Sequence, residues 1–297
     1  MGEILFVAEH NVMVWQDGDV RQLTSDHVAS SPTWAPQGDR FAYIQVHEDY
    51  SELVIADREG NALQQVTDHD SGVEPYTEEH VFLASWAWDP SWSPASEEIV
   101  YVSDKEGLDQ FSRATYIWLA EQLDDQVPPY ILNASYQIGM SQEDPSYSPD
   151  GSQLVFTVRV DSDNGNRSTE IWTLDLETAV WEQFVSSADG VYDPAWSPDG
   201  ESIAYVQRDG NTNEIWIAPV DDGDPYQLTQ DGNAVEPVWS PDGSHIAFIE
   251  RAGAEFQIST VEVEMDEDDQ YEIVGDPEVI VEESDIDAQS GLSWNQP

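Results

Sequence analysis

One phrase recurs along the chain, and its last copy is cut short by the end of the sequence. In full it reads Pro-x-Trp-Ser-Pro-Asp-Gly, followed by an apolar run. It stands at 194–200 before Ile203-Ala204-Tyr205-Val206, and at 237–243 before Ile246-Ala247-Phe248-Ile249. Looser copies occupy 32–38, 90–96 and 145–151. The final copy, Leu292-Ser293-Trp294-Asn295, runs out at Pro297. The apolar run it lacks stands at the other end of the chain, as Glu3-Ile4-Leu5-Phe6-Val7. A repeat divided between the two termini implies a closed ring.

The anchor aromatics Trp34, Trp92, Tyr147, Trp196, Trp239 and Trp294 lie 58, 55, 49, 43 and 55 residues apart, with 37 more through the termini. Periods of about 40–50 residues suit a four-stranded propeller blade. Each period holds four strand-like runs rich in Ile, Val, Trp, Tyr and Phe. In the tightest unit they fall near 194–197, 202–206, 214–218 and 226–229. Ser197-Pro198-Asp199-Gly200 supplies the turn after the first run, with Pro presetting φ and Gly accepting a positive one. No segment carries a helical period. The reading is all-β: one domain, 1–297, forming a six-bladed propeller of four-stranded antiparallel blades. One blade joins 292–297 to 3–24, with its inner strand near 292–295 and its outer three near 3–8, 11–15 and 20–24. Radial closure of this kind protects strand edges. The chain has no Cys, so no disulfide assists it.

Gln22-Leu23-Thr24 and Gln227-Leu228-Thr229 close two of the units. With them, the phrase resembles the TolB-type propeller repeat, which also builds the propellers of tricorn-type and prolyl-oligopeptidase-type proteases. The resemblance spans nearly the whole chain and is weakest at 90–96, where Ala95-Ser96 replaces Asp-Gly. It implies an exported propeller that docks a protein segment at the mouth of its central channel. The fold itself hosts many activities.

Sixty-one acids face nine bases, for a net charge of −52. Self-repulsion on this scale destabilises a compact state unless counterions screen it. The composition reads as a salt-adapted, halophilic surface whose carboxylates hold water and cations. The absence of a basic stripe excludes nucleic-acid binding. No apolar run is long enough to cross a membrane. The resemblance places the protein in the periplasm, the cell envelope or outside the cell, with its signal absent from this sequence. The charge alone equally fits the cytoplasm of a salt-accumulating organism.

In a propeller the segments that lead into the inner strands converge on one opening. The residue before the phrase's first Pro is Asp89, Asp144, Asp193 and Glu236 in four units, and Ser31 and Gly291 in the other two. Four carboxylates would focus negative potential at the mouth and suit a cation, a basic peptide or a chain terminus. The competing reading is local capping of the loops by Asp and Glu. The segment before Asp89 is the longest and carries Tyr76, His80, Phe82, Trp86 and Trp88. Loops of this length are uncommon without a function. Trp86, Trp88 and Tyr192, with Tyr136, are read as the aromatic edge of the mouth.

Three other features admit two readings. Asp161-Ser162-Asp163-Asn164-Gly165-Asn166 alternates oxygen donors, but Trp172 stands where a calcium loop needs Glu, so it reads as a polar hairpin turn. Residues 262–287 hold thirteen acids and no Lys or Arg, and read as a solvated excursion. Lys105 and Arg113 bracket an inserted loop.

No Gly-x-Ser-x-Gly elbow, His-Glu-x-x-His pair or thiol is present. The functional expectation is therefore a non-catalytic protein- or peptide-binding module that uses no cofactor or metal. One alternative is a metal-dependent lyase or hydrolase using His27 and His80 on the rim. Another is a structural subunit of an envelope or surface assembly.

Salt adaptation has a direct thermal consequence. The screening length falls to roughly 3 Å at 1 M salt, so the melting temperature is expected to climb continuously from low to molar KCl. A melting temperature indifferent to salt would contradict this reading.

Overall fold

The computed structural model describes residues 2–73, 77, 84–95, 97–105, 114–120, 129–132, 141–161, 167–221, 223–230, 233–266, 270–283 and 285–295. All regular structure within them is β, in six four-stranded antiparallel sheets. Blades 1 to 5 comprise 29–65, 87–131, 142–186, 191–227 and 234–281. In each the first strand in sequence is innermost. The sixth sheet joins the two ends of the chain: Ser293–Asn295 pairs with Glu3–Ala8, followed by Asn11–Gln16 and Asp19–Gln22. The inner strands pack side by side in sequence order, and Ser293–Asn295 packs beside Ala29–Trp34 to close the ring. No helix among the described residues is long and apolar enough to cross a membrane.

Why the phrase builds a blade is visible in the fourth unit. Gly200 N–H donates to Ser197 O (2.9 Å) at a φ of 75°, which glycine tolerates. Asp199 Oδ1 accepts from Ser197 Oγ (2.5 Å) and Glu201 N (3.0 Å), and Ser202 N donates to Ser197 Oγ (2.9 Å). The same bonds recur around Asp150 and Asp242. Hydrogen bonds from Ser240 and Ser244 hold the Asp242 carboxyl down at about 2. These aspartates are committed to turns. The Gln-x-Thr ends are equally structural. Gln22, Gln65 and Gln227 each donate Nε2 to the carbonyl of the Thr two residues on. Thr24, Thr67 and Thr229 in turn accept a backbone N–H from the third strand (2.9–3.0 Å). Gln65-Val66-Thr67 is thus a third copy of this ending.

The core lies between blades. Six buried clusters fill the six interfaces between neighbouring blades. Anchor tryptophans lock some of them further: Trp92 Nε1 donates to Thr33 O (3.2 Å) and Trp239 Nε1 to Ala195 O (3.3 Å), both in the preceding blade. At the seam the chain approaches itself closely. A Cβ on Gly2 would lie 1.8 Å from Asn295 O, and one on Gly38 would lie 2.0 Å from Asn295 Nδ2. The buried Glu3 carboxylate meets Arg58 (2.6 Å), whose guanidinium lies 5.7 Å from the Trp34 ring.

Two expectations need correction. Residues 262–287 are not a solvated excursion. Glu255–Met265 and Tyr271–Val281 are paired eleven-residue strands, with Met265, Val274 and Val279 exposed among the carboxylates. The acids occupy exposed positions of strands, which masked the alternation. The inner strand of blade 4 also starts earlier than 194, at Val191–Trp196, which brings Asp193 inside the ladder. The stretch 162–166 lies outside the described residues.

The seam depends on Trp294, buried between blades 5 and 6. Trp294→Ala is expected to cost about 3–5 kcal/mol in urea unfolding, more than truncation of an exposed residue such as Leu63.

Candidate functional site

The lead-in residues are not loop caps. Five lie on inner strands and Gly291 lies two residues before the sixth, and all six are left-handed: Ser31 (φ 46°), Asp89 (47°), Asp144 (53°), Asp193 (51°), Glu236 (53°) and Gly291 (66°). In blades 1 to 5 the ladder slips register around this residue and the following Pro. Proline has no N–H to give a ladder and is tolerated at such a bulge. The distortion aims the preceding side chain at the ring axis. A non-glycine residue held left-handed costs roughly 1–2 kcal/mol, and such strain concentrates at functional positions.

The result is a constricted channel. Asp89, Asp144, Asp193 and Glu236 line both an inner cavity of about 250 Å³ and an outer one of about 930 Å³, and so form the waist between them. Below the waist the walls are the phrase prolines Pro32, Pro90, Pro145, Pro194 and Pro237. Above it the mouth opens between Trp88, Glu143, Arg159, Tyr192, Arg208 and Phe256. Blades 1 and 6 contribute no charge to the waist. Their side carries a hydroxyl chain instead: Ser31 Oγ donates to Asp89 Oδ1 (3.2 Å), Ser30 Oγ lies 3.3 Å from Ser31 Oγ and 3.0 Å from Ser290 Oγ, and Ser290 donates to Asp287 (2.7 Å).

Protein surrounds each waist carboxyl, yet each keeps part of its surface on the channel. Burial is the largest influence on all four and raises them, with mutual repulsion adding to it. Asp193 is pushed up to about 7, by burial and then by the charges of Asp89 and Glu143, against a hydrogen bond from Glu236 N (3.3 Å). Asp89 rises to about 6, again chiefly by burial, with hydrogen bonds from Ser31 and the Asp144 backbone opposing. Asp144 and Glu236 are driven well above the ordinary range by burial and their acidic neighbours. Near neutral pH the waist therefore shares protons as a set rather than carrying four full charges.

The expected aromatic edge is partly assembled. Trp88 and Tyr192 line the mouth. Trp86 stands behind, stacked on Trp88 with centroids 6.4 Å apart. Tyr76, His80, Phe82 and Tyr136 lie outside the described residues. His27 is not on the channel: its Nδ1 lies 2.9 Å from Asn11 Nδ2 and 3.0 Å from Glu9 O, on the sixth blade. His69 is buried, with Nδ1 2.9 Å from Ser51 O, and burial lowers it to about 4. Among the described residues no three His, Asp or Glu side chains are grouped to hold a metal ion.

Two mouth residues were missed. Arg159 pairs with Glu143, and the Arg208 guanidinium lies 5.4 Å from the Tyr192 ring. A signal was present: both stand eight residues after the phrase glycine, at Gly151 and Gly200.

The PD40 family, described as the TolB beta propeller domain, matches residues 131–274. The crystal structure of TolB from Acinetobacter baumannii superposes with a TM-score of 0.72 at 18% identity, covering 100% of this chain and 67% of that one. The chain is a six-bladed propeller similar to the TolB propellers. Two curated relatives carry peptidase names. The uncharacterized peptidase YuxL of Bacillus subtilis (strain 168) is 30% identical over 92 residues, covering 30% of this chain and 14% of the relative. Dipeptidyl-peptidase 5 of Porphyromonas gingivalis (strain ATCC 33277) is 30% identical over 69 residues, covering 23% and 10%. The matched segments are thus a small fraction of those relatives' length.

The raised carboxyls of this waist have a measurable cost. Each holds its proton to higher pH when folded than when unfolded. Stability from this source is present at pH 4 and is lost as pH rises through about 6 to 7 for Asp89 and Asp193. Asp193→Asn removes the burial of charge, and Asn also accepts a left-handed backbone. The variant is expected to be more stable than the wild type by about 1–3 kcal/mol at pH 7.5, with the difference vanishing near pH 4. Chemical denaturation at both pH values measures it.

Proposed function

We propose that this propeller is a non-catalytic module that receives a protein segment end-on at the channel mouth, with a basic group of the partner seated at the waist. The observation that carries the reading is the convergence of Asp89, Asp144, Asp193 and Glu236 on one constriction between two cavities. Carboxylates brought together under burial and repulsion gain most from an incoming cation, which replaces the solvation they have lost. The four are not grouped as ligands to a bare metal ion. An ammonium or guanidinium group, larger and able to donate several hydrogen bonds, suits them better. Trp88 and Tyr192 add flat apolar faces at the mouth, of the kind that anchors interface side chains. The likeness to TolB structures supports a protein partner and an extracytoplasmic setting.

The peptidase names of YuxL and dipeptidyl-peptidase 5 favour a second reading, in which the propeller serves a hydrolase by admitting peptides through its channel. Hydrolysis of fluorogenic dipeptide amides by a hydrolase that co-purifies with the chain would favour that reading over the first.

The binding reading is tested with a lysine-terminated synthetic peptide followed by Trp fluorescence. Asp144→Asn with Asp193→Asn is expected to lower affinity by about tenfold or more while circular dichroism stays unchanged. Equal affinity for the variant and the wild type would remove the waist from the account.

A further inference from the structure

The outer cavity adds charges of both signs to the waist: Arg159 and Arg208, with Glu143 and Asp189 beside them. The four waist carboxylates border both cavities, whereas Arg159 and Arg208 border only the outer one. Both arginines lie near the end of the second strand of their blades, in neighbouring blades 3 and 4. They are two of only nine bases set against sixty-one acids. The charges acting on Asp193 are those of Asp89 and Glu143. Arg208 is held instead against Tyr192, by a ring contact of 5.4 Å. Arg159 rests on Glu143, and 46% of its side chain is exposed. Two guanidinium forks therefore face the outer cavity beside the flat rings of Trp88 and Tyr192.

A partner carrying only positive charge finds its complement at the waist and leaves these arginines unmatched. A partner whose leading group is cationic and whose following group is anionic meets each charge at its complement. Guanidinium forks match carboxylates with two parallel hydrogen bonds, and the neighbouring aromatic faces exclude water from one side. A cleft with apolar walls strengthens both contacts.

We propose that the mouth recognises a two-charge chain end, with a cationic group entering the waist and a carboxylate one to three residues behind it docking on Arg159 and Arg208. The inference rests on the waist-binding reading above and adds the chemistry of the second contact. It assigns the ligand's orientation, amine inward and carboxylate outward. It also places the carboxylate over blades 3 and 4 rather than over blades 1 and 6, whose waist positions are Ser31 and Gly291.

Four amidated tetrapeptides with free amino termini test it: Lys-Ala-Ala-Ala, and the same peptide with Glu at the second, third or fourth place. Calorimetry against the intact protein is expected to show one Glu placement binding about tenfold tighter than the Glu-free peptide. Arg159→Gln with Arg208→Gln should abolish that gain and leave the Glu-free peptide bound as tightly as before, or tighter. Arg208→Lys, which keeps the charge and loses the fork, should lose part of the gain and serves as the variant least prone to misfolding. If Glu weakens binding at every place, the arginines are no anion site and the inference falls while the waist reading stands. If no peptide binds the wild type, both fall.

Discussion

Five prolines that cannot donate a hydrogen bond set the inner geometry of this ring. In blades 1 to 5 the ladder between the first and second strands breaks at the Pro and the residue before it. The break leaves that residue left-handed, in the sixth blade as in the others. Because the backbone fixes the direction, the side chain there is free to vary. Ser, Asp, Asp, Asp, Glu and Gly all occupy the same conformation. Channel chemistry is thus uncoupled from blade construction. The turn aspartates Asp150, Asp199 and Asp242 hold the blades together, and the lead-in acids meet the lumen.

Burial then turns these acids into a liability for the fold. Four carboxyls, each surrounded by protein and repelling the others, favour the protonated state. The inter-blade clusters and the Gln-x-Thr bonds supply the stability that lets such a waist persist. The mouth breaks the six-fold pattern further. Arginines sit on two adjacent blades, and serines with glycine sit opposite. A ligand entering this channel meets a front and a back, although the scaffold around it is a repeat.

The ring and its acids were legible because each depends on residue type at a fixed offset. The Trp spacing marks the blades, and an acid before Pro marks the waist. The bulge was not legible, because an acid followed by Pro reads as a loop wherever it stands. Asp193 was placed outside its strand for that reason. The long hairpin 255–281 was hidden by its charge: Glu262, Glu264 and Glu278 sit on exposed faces of paired strands, but in sequence they resemble a solvated run. Arg159 and Arg208 share an offset from the phrase glycine. Because they lie on the strand after the phrase rather than in the phrase itself, the repeat drew no attention to them. His27 shows the opposite error. It stands before an inner strand, yet Asn11 and Glu9 hold it on the sixth blade.

The seam has a mechanical side. Glu3 lies opposite Asn295 and Leu5 opposite Ser293, so the two ends of the chain leave the sixth sheet at the same corner. Tension applied between those ends peels the pairing open one residue at a time. It does not load all the hydrogen bonds together, as shear along the strands would. A ring held by six buried interfaces is therefore joined by a zipper that opens from its corner.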